Sequence, residues 1–176
     1  MVKLNSFVLP NDVIRKMKDK LIDTEKTDLE QGFNLCRKPA SNVLIDRTHC
    51  TGDECSISFK RTCGRPDEIL VGDYHTHPVY SANPSLQDMI SLYDLGLGCI
   101  GSVEDNEIYC FIRKDKIPDP KVIPNIRNTI ENYEKPLEKM TFGDILTGKG
   151  EHLETKLIDA AHYYRDHYFK KINIRE

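Results

Sequence analysis

The spacing of hydrophobic positions changes several times along the chain, and each change marks an element. The short apolar run at 6–9 (SFVL) predicts a strand; Pro10 and Asn11 then open a helix whose stripe is Val13, Ile14, Met17 and Leu21. Three short β-type runs follow at 32–36, 42–46 and 55–59, separated by polar turns. Residues 68–74 (EILVGDY) predict a further strand, which ends in His75-Thr76-His77-Pro78. Leu86, Met89, Ile90 and Tyr93 recur at helical spacing until Gly96 and Gly98 stop the helix. The runs 99–103 and 107–113 predict a hairpin around Glu104-Asp105-Asn106. Beyond it, Ile123, Ile126, Ile130, Tyr133 and Leu137 predict a helix with Pro124 near its start, and Leu153, Leu157, Ala161, Tyr164, Tyr168 and Ile172 a longer terminal one. The order predicts a mixed α/β fold: a central sheet flanked by helices, with two extra helices at the C-terminal end.

At 176 residues and 39% hydrophobic, with no internal repeat or linker, the chain suits a single compact domain. A net charge of -3 and a pI near 6.1 lack the basic footprint that phosphate contacts require, which argues against nucleic acid. No apolar run approaches the roughly 20 residues that span a bilayer, and MVKLNSFVLP lacks the apolar core of a signal peptide, so a cytoplasmic location is expected. In that setting Cys36, Cys99 and Cys110, in apolar surroundings, are expected to be free, buried cysteines. His49, Cys50, Cys55 and Cys63 lie closer together in a polar stretch. Their spacing fits no standard zinc motif; a disulfide or a structural second metal is possible, and loop residues without a role are the leading account.

Chemistry concentrates in HTHPVYSANPSLQD, residues 75–88. Histidines at i and i+2 of an extended segment project from the same face, so His75 and His77 can reach one cation. With Asp88 they make two imidazoles and a carboxylate, which leaves tetrahedral zinc one position for water, as in catalytic sites. A plainer account exists for part of this, because Ser85-Leu86-Gln87-Asp88 ahead of a helical pattern is a capping box. The combination outweighs it: from this composition His-x-His-x7-Ser-x2-Asp arises by chance on the order of once in a thousand chains. His49, His152, His162 and His167 read as ordinary solvent-exposed or hydrogen-bonded histidines.

GDYHTHPVYSANPSLQD resembles, without a gap, the central motif of the JAMM (MPN+, JAB) metalloprotease family. The resemblance implies zinc held by His75, His77 and Asp88, with Ser85 helping to stabilise the tetrahedral intermediate. It also implies a three-layer fold like that of cytidine deaminases, with a catalytic core over 1–116 and a helical extension over 117–176 packed on the same domain. The family's general base is an upstream glutamate before a glycine step that opens a strand. In DLEQGFNLC the residue in that place is Glu30, with departures from the family pattern at Phe33 and Arg37. Glu25 and Glu54 are alternatives that open no strand after the first helix.

The activity so implied is zinc-dependent hydrolysis of the amide or isopeptide bond after the C-terminal glycine of a ubiquitin-like modifier, whose tail would bind extended along a sheet edge. The absence of a long insertion after Asp88 resembles compact prokaryotic-type members. The alternatives are a JAMM peptidase acting on a sulfur-carrier peptide or releasing amino acids, and a non-catalytic scaffold of the same superfamily. The terminal aromatics Tyr163, Tyr164, Tyr168 and Phe169 are expected to serve core packing.

Overall fold

Residues 1–52 and 61–174 are described by a computed structural model. A small hairpin, β1 (Val2–Leu4) and β2 (Phe7–Leu9), precedes helix α1 (Asn11–Thr27). The predicted stripe Val13, Ile14, Met17 and Leu21 is buried, and Thr24 continues it with a buried hydroxyl. The helix stops at Asp28, whose left-handed backbone (φ 57°) returns its N–H to the Thr24 carbonyl at 2.8 Å.

The main sheet has six strands in the order β4-β3-β5-β6-β7-β8. They are β3 (Gln31–Arg37), β4 (Ile45–Thr51), β5 (Ile69–His77), β6 (Leu97–Ser102), β7 (Glu107–Arg113) and β8 (Phe169–Asn173). β3 runs antiparallel to both β4 and β5, β5 and β6 are parallel, and β6 and β7 form the predicted hairpin. A parallel pair needs a long crossover, here through helix α2 (Leu86–Leu95). The sheet is therefore mixed, as the sequence predicts, with helices flanking it in the chain order.

Close packing divides the described residues into two compact units: Met1–Asn83, Leu95–Ile112 and Lys170–Glu176 form one, Pro84–Asp94 and Arg113–Phe169 the other. In the first, the α1 stripe packs with Leu4 and Leu9 of the hairpin and with Phe33, Leu35, Tyr74, Leu97 and Ile108 of the sheet. The second gathers α2, α3 (Val122–Thr129), a π-helical turn over Ile130–Glu134, α4 (Lys135–Glu138), α5 (Phe142–Leu146) and α6 (Glu151–Tyr168). Tyr93 organises this unit. Its hydroxyl accepts from the Asp119 N–H at 2.9 Å and donates to Asp115 at 3.2 Å, while the Arg113 guanidinium lies over its ring and Tyr168 meets it edge-on.

Several expectations change. The 42–46 strand begins only at Ile45, and Asn42–Leu44 contributes an isolated bridge, Val8 with Val43. The run 55–59 and Cys55 lie outside the described residues. The helix through Ile130 and Leu137 widens into a π turn, because Pro136 has no N–H to return to the carbonyl four residues back. Ile172 is not helical: the terminal helix ends at Tyr168 and the chain turns into β8, so the C-terminal extension adds a sheet strand as well as helices. The apolar spacing at 164, 168 and 172 fits a helix, but Phe169 is buried with its ring edge-on to Tyr93, Ile174 joins the core of the first unit, and the Ile174 N–H donates to the Ile108 carbonyl at 2.9 Å.

The cysteines are the clearest correction. Cys36, Cys99 and Cys110 are fully buried as expected, but they are not thiols: Cys36 is bonded to Cys63, and Cys99 to Cys110. Cys99 and Cys110 stand directly opposite each other in the β6–β7 register. Cys63 is thereby removed from any metal cluster with Cys50, and His49 instead pairs with Asp46 at 2.9 Å.

Candidate metal centre

Alternation along β5 sorts its side chains. Tyr74 and Thr76 turn toward α1, where the Tyr74 hydroxyl donates to the Met17 carbonyl at 2.7 Å and the Thr76 hydroxyl meets that of Thr24 at 2.5 Å. Burial pushes the Tyr74 phenol well above its ordinary range, so it acts only as a neutral donor. Asp73, His75 and His77 must then share the opposite face.

On that face the two imidazoles converge, with Nε2 of His75 and Nε2 of His77 3.1 Å apart. The His77 Nδ1 lies 2.9 Å from the Ser81 carbonyl, which can only accept, so the proton of neutral His77 sits on Nδ1 and the lone pair on Nε2. His75 Nδ1 lies 3.7 Å from Asp73, which favours the same tautomer. Two lone pairs so close repel unless a proton or a cation lies between them.

The turn after the histidines is anchored within its own unit. The Ser102 hydroxyl donates to the Tyr80 carbonyl at 2.8 Å, the Ala82 N–H donates to Asp105 at 2.8 Å, and Lys171 reaches Asn83 at 3.0 Å. Sequence reasoning passed over Ser102 and Asp105, since nothing local signals that a hairpin serves a distant loop.

Ser85 and Asp88 form the anticipated capping box of α2: the Ser85 N–H donates to Asp88 at 2.8 Å and the Asp88 N–H to the Ser85 hydroxyl at 3.1 Å. The capping role does not compete with metal binding, because a carboxylate has several acceptor positions. Within the first unit the two histidine Nε2 atoms, 3.1 Å apart, could share a single metal ion. Elsewhere in the second unit burial pushes the Glu134 carboxyl up, and the charges of Glu138 and Asp88 act in the same direction.

Glu30 is half-buried and immediately precedes β3, and its carbonyl accepts from the Gly52 N–H at 2.6 Å. In the β3–β5 register Gly32 stands opposite His75, and the Gln31 N–H donates to the Thr76 hydroxyl at 2.8 Å. The paired residues of β3 and β5 end at Gly32 and His75, and Glu30 lies two residues ahead of that pair. Gly32 is required there: a Cβ would stand 2.6 Å from the Tyr74 carbonyl and 3.1 Å from the Cys50 sulfur. Glu25 lies within α1, and Glu54 lies outside the described residues.

Among solved structures, the chain is similar to a JAB1/MPN domain protein from Archaeoglobus fulgidus, at 18% sequence identity and a TM-score of 0.40, over 63% of this chain and 92% of that one. No family model matches the sequence, and no curated protein does. Among the described residues no helix is long and apolar enough to cross a membrane.

Proposed function

We propose that this chain is a zinc-dependent metalloprotease of the JAMM type, cutting the amide or isopeptide bond after the C-terminal glycine of a ubiquitin-like modifier. The observation that carries this reading is the convergence of the His75 and His77 imidazoles, with Nε2 atoms 3.1 Å apart, to which the motif adds Asp88 as the third ligand. Two imidazoles with a carboxylate suit zinc and leave it an open position. The His77–Ser81 hydrogen bond supports the fit, since it presents a lone pair where a metal ligand needs one.

Bound there, zinc would acidify a water and polarise the scissile carbonyl. The remaining work falls to side chains. Glu30 takes a proton from the attacking water and returns it to the leaving amine. Ser85, whose oxygen accepts from the Asp88 N–H, turns its own proton toward the carbonyl oxygen as negative charge develops. A glycine-ended tail suits such a site because it is slim and extended, and can be held by main-chain hydrogen bonds.

The test measures zinc content and cleavage of a ubiquitin-like protein fused through its C-terminal glycine. Wild type should hold one zinc and cut the fusion. His77→Ala should lose the metal; Glu30→Gln should keep it while kcat falls by about 100-fold or more. Zinc without cleavage would reject this substrate class, and a wild-type protein that binds no zinc would overturn the hydrolase reading.

A further inference from the structure

The residue between the two histidines has no part in the metal group, yet it lies at the centre of a buried hydrogen-bonded chain. Thr76 and Thr24 are both fully buried. The Gln31 N–H donates to the Thr76 hydroxyl at 2.8 Å; the two threonine hydroxyls lie 2.5 Å apart; and the Thr24 hydroxyl donates to the Lys20 carbonyl at 3.0 Å. The Thr76 hydroxyl also lies 3.3 Å from the Gln31 carbonyl, to which it can donate, and either threonine hydroxyl can donate to the other. In each arrangement Thr76 accepts from the Gln31 N–H and meets Thr24, so it joins the start of β3 to α1. The Gln31 side chain is held as well, its carbonyl oxygen accepting from Lys20 at 3.1 Å and from Thr51 at 3.0 Å.

We propose that Thr76 is a positioning residue, whose hydroxyl locks the start of β3 to the histidine strand and to α1, and so holds Glu30 in place as the general base. The inference rests on the hydrolase reading and adds a residue to it. Gln31 adjoins Glu30, so whatever fixes the Gln31 amide fixes the backbone from which Glu30 projects. The metal ligands do not depend on the lock in the same way, because His75 and His77 sit on β5 itself, which remains paired with β3 and β6.

Thr76→Val and Thr76→Ser separate the possibilities. Valine keeps the volume and breaks the chain at its middle, leaving the buried Gln31 N–H without an acceptor; serine keeps every bond. Hydrogen exchange at the Gln31 amide needs no substrate and no metal. It should accelerate at least about tenfold in the valine variant and return to the wild-type rate in the serine variant, with the amides along the rest of β3 still protected. An unchanged Gln31 rate in a folded valine variant overturns the lock. In the zinc-loaded enzyme, kcat should fall about 10–100-fold in Thr76→Val at unchanged KM and unchanged zinc affinity, and recover in Thr76→Ser. An unchanged kcat, or a loss of zinc affinity in step with kcat, overturns the positioning of Glu30. Should Thr76→Val not fold, Thr76→Ala removes the same hydroxyl with a smaller side chain, again leaves the Gln31 N–H without that acceptor, and is read in the same two ways. A wild-type protein that neither binds zinc nor cleaves would overturn the hydrolase reading, while the exchange measurement still decides the lock.

Discussion

Single residues of the candidate centre hold structure whatever their chemistry, and Ser85 allows the two to be measured apart. Its hydroxyl accepts from the Asp88 N–H and caps α2 whatever else it does. An N-cap serine contributes about 1 kcal/mol, and in a chain of this size such a loss lowers Tm by roughly 2–4 °C. If Ser85 also donates to the developing oxyanion, Ser85→Ala should lose about 100-fold in kcat in addition, with zinc retained. Calorimetry and steady-state kinetics on the same preparation check both parts; a shift in Tm alone would leave Ser85 as a cap and nothing more. Asp88, His75 and His77 were legible in the sequence because their spacing on one strand end and one helix turn is local. For Glu30 the sequence offered only its place before a strand, which the structure shares: it immediately precedes β3, two residues ahead of the pair Gly32 and His75.

Elements hold their positions through a few polar contacts as well as through the core. β4 is the outermost strand beyond β3, and Asp46 ties it to α1 through Lys16 at 2.6 Å while also meeting His49 at 2.9 Å. Burial of Asp46 works against its charge, but the hydrogen bonds from Lys16 and His49 prevail and hold its carboxyl below the ordinary 3.8. A carboxylate with a lowered folded-state pKa stabilises the fold above its unfolded value, and that contribution disappears as pH falls through the folded value. Wild-type Tm should therefore drop below about pH 4 more steeply than that of Asp46→Asn, which lacks the contribution at every pH. Parallel slopes in thermal melts from pH 2 to 7 would count against this. The existence of most elements was legible from periodicity, since α1, α2 and the β6–β7 hairpin each bury the positions their spacing singles out. The terminal element was not, because one apolar spacing serves a helix to Tyr168 and a strand from Phe169, and only the sheet beyond β7 distinguishes them.

For the molecule as a whole, the disulfides change the expectation most. The Cys36–Cys63 bond closes a loop of 27 residues and ties β3 to the segment ahead of β5. Such a crosslink stabilises by roughly 2–4 kcal/mol, chiefly by restricting the unfolded chain. Cys63→Ser should lower denaturant stability by that amount, and non-reducing peptide mapping of the wild type should recover the 36–63 and 99–110 pairs. Free thiols at these four positions in the purified protein would contradict the pairing. Disulfides belong mainly to oxidising compartments and to hyperthermophile cytoplasm. The cytoplasmic expectation, which had treated these cysteines as thiols, thus loses part of its basis.

What the sequence determined alone was short-range: the helical stripes, the hairpin turn, the capping box at Ser85 and Asp88, and the two histidines on one face. Each depends on residues a few positions apart, whose geometry the backbone period sets. Tertiary structure decided what joins distant positions. Thr24 meets Thr76 across 52 residues, Cys36 finds Cys63, and the last strand reaches the sheet rather than prolonging its helix. A buried hydroxyl, a sulfur or an apolar ring takes its partner from whatever the packed core brings beside it, and a local pattern carries no record of that choice.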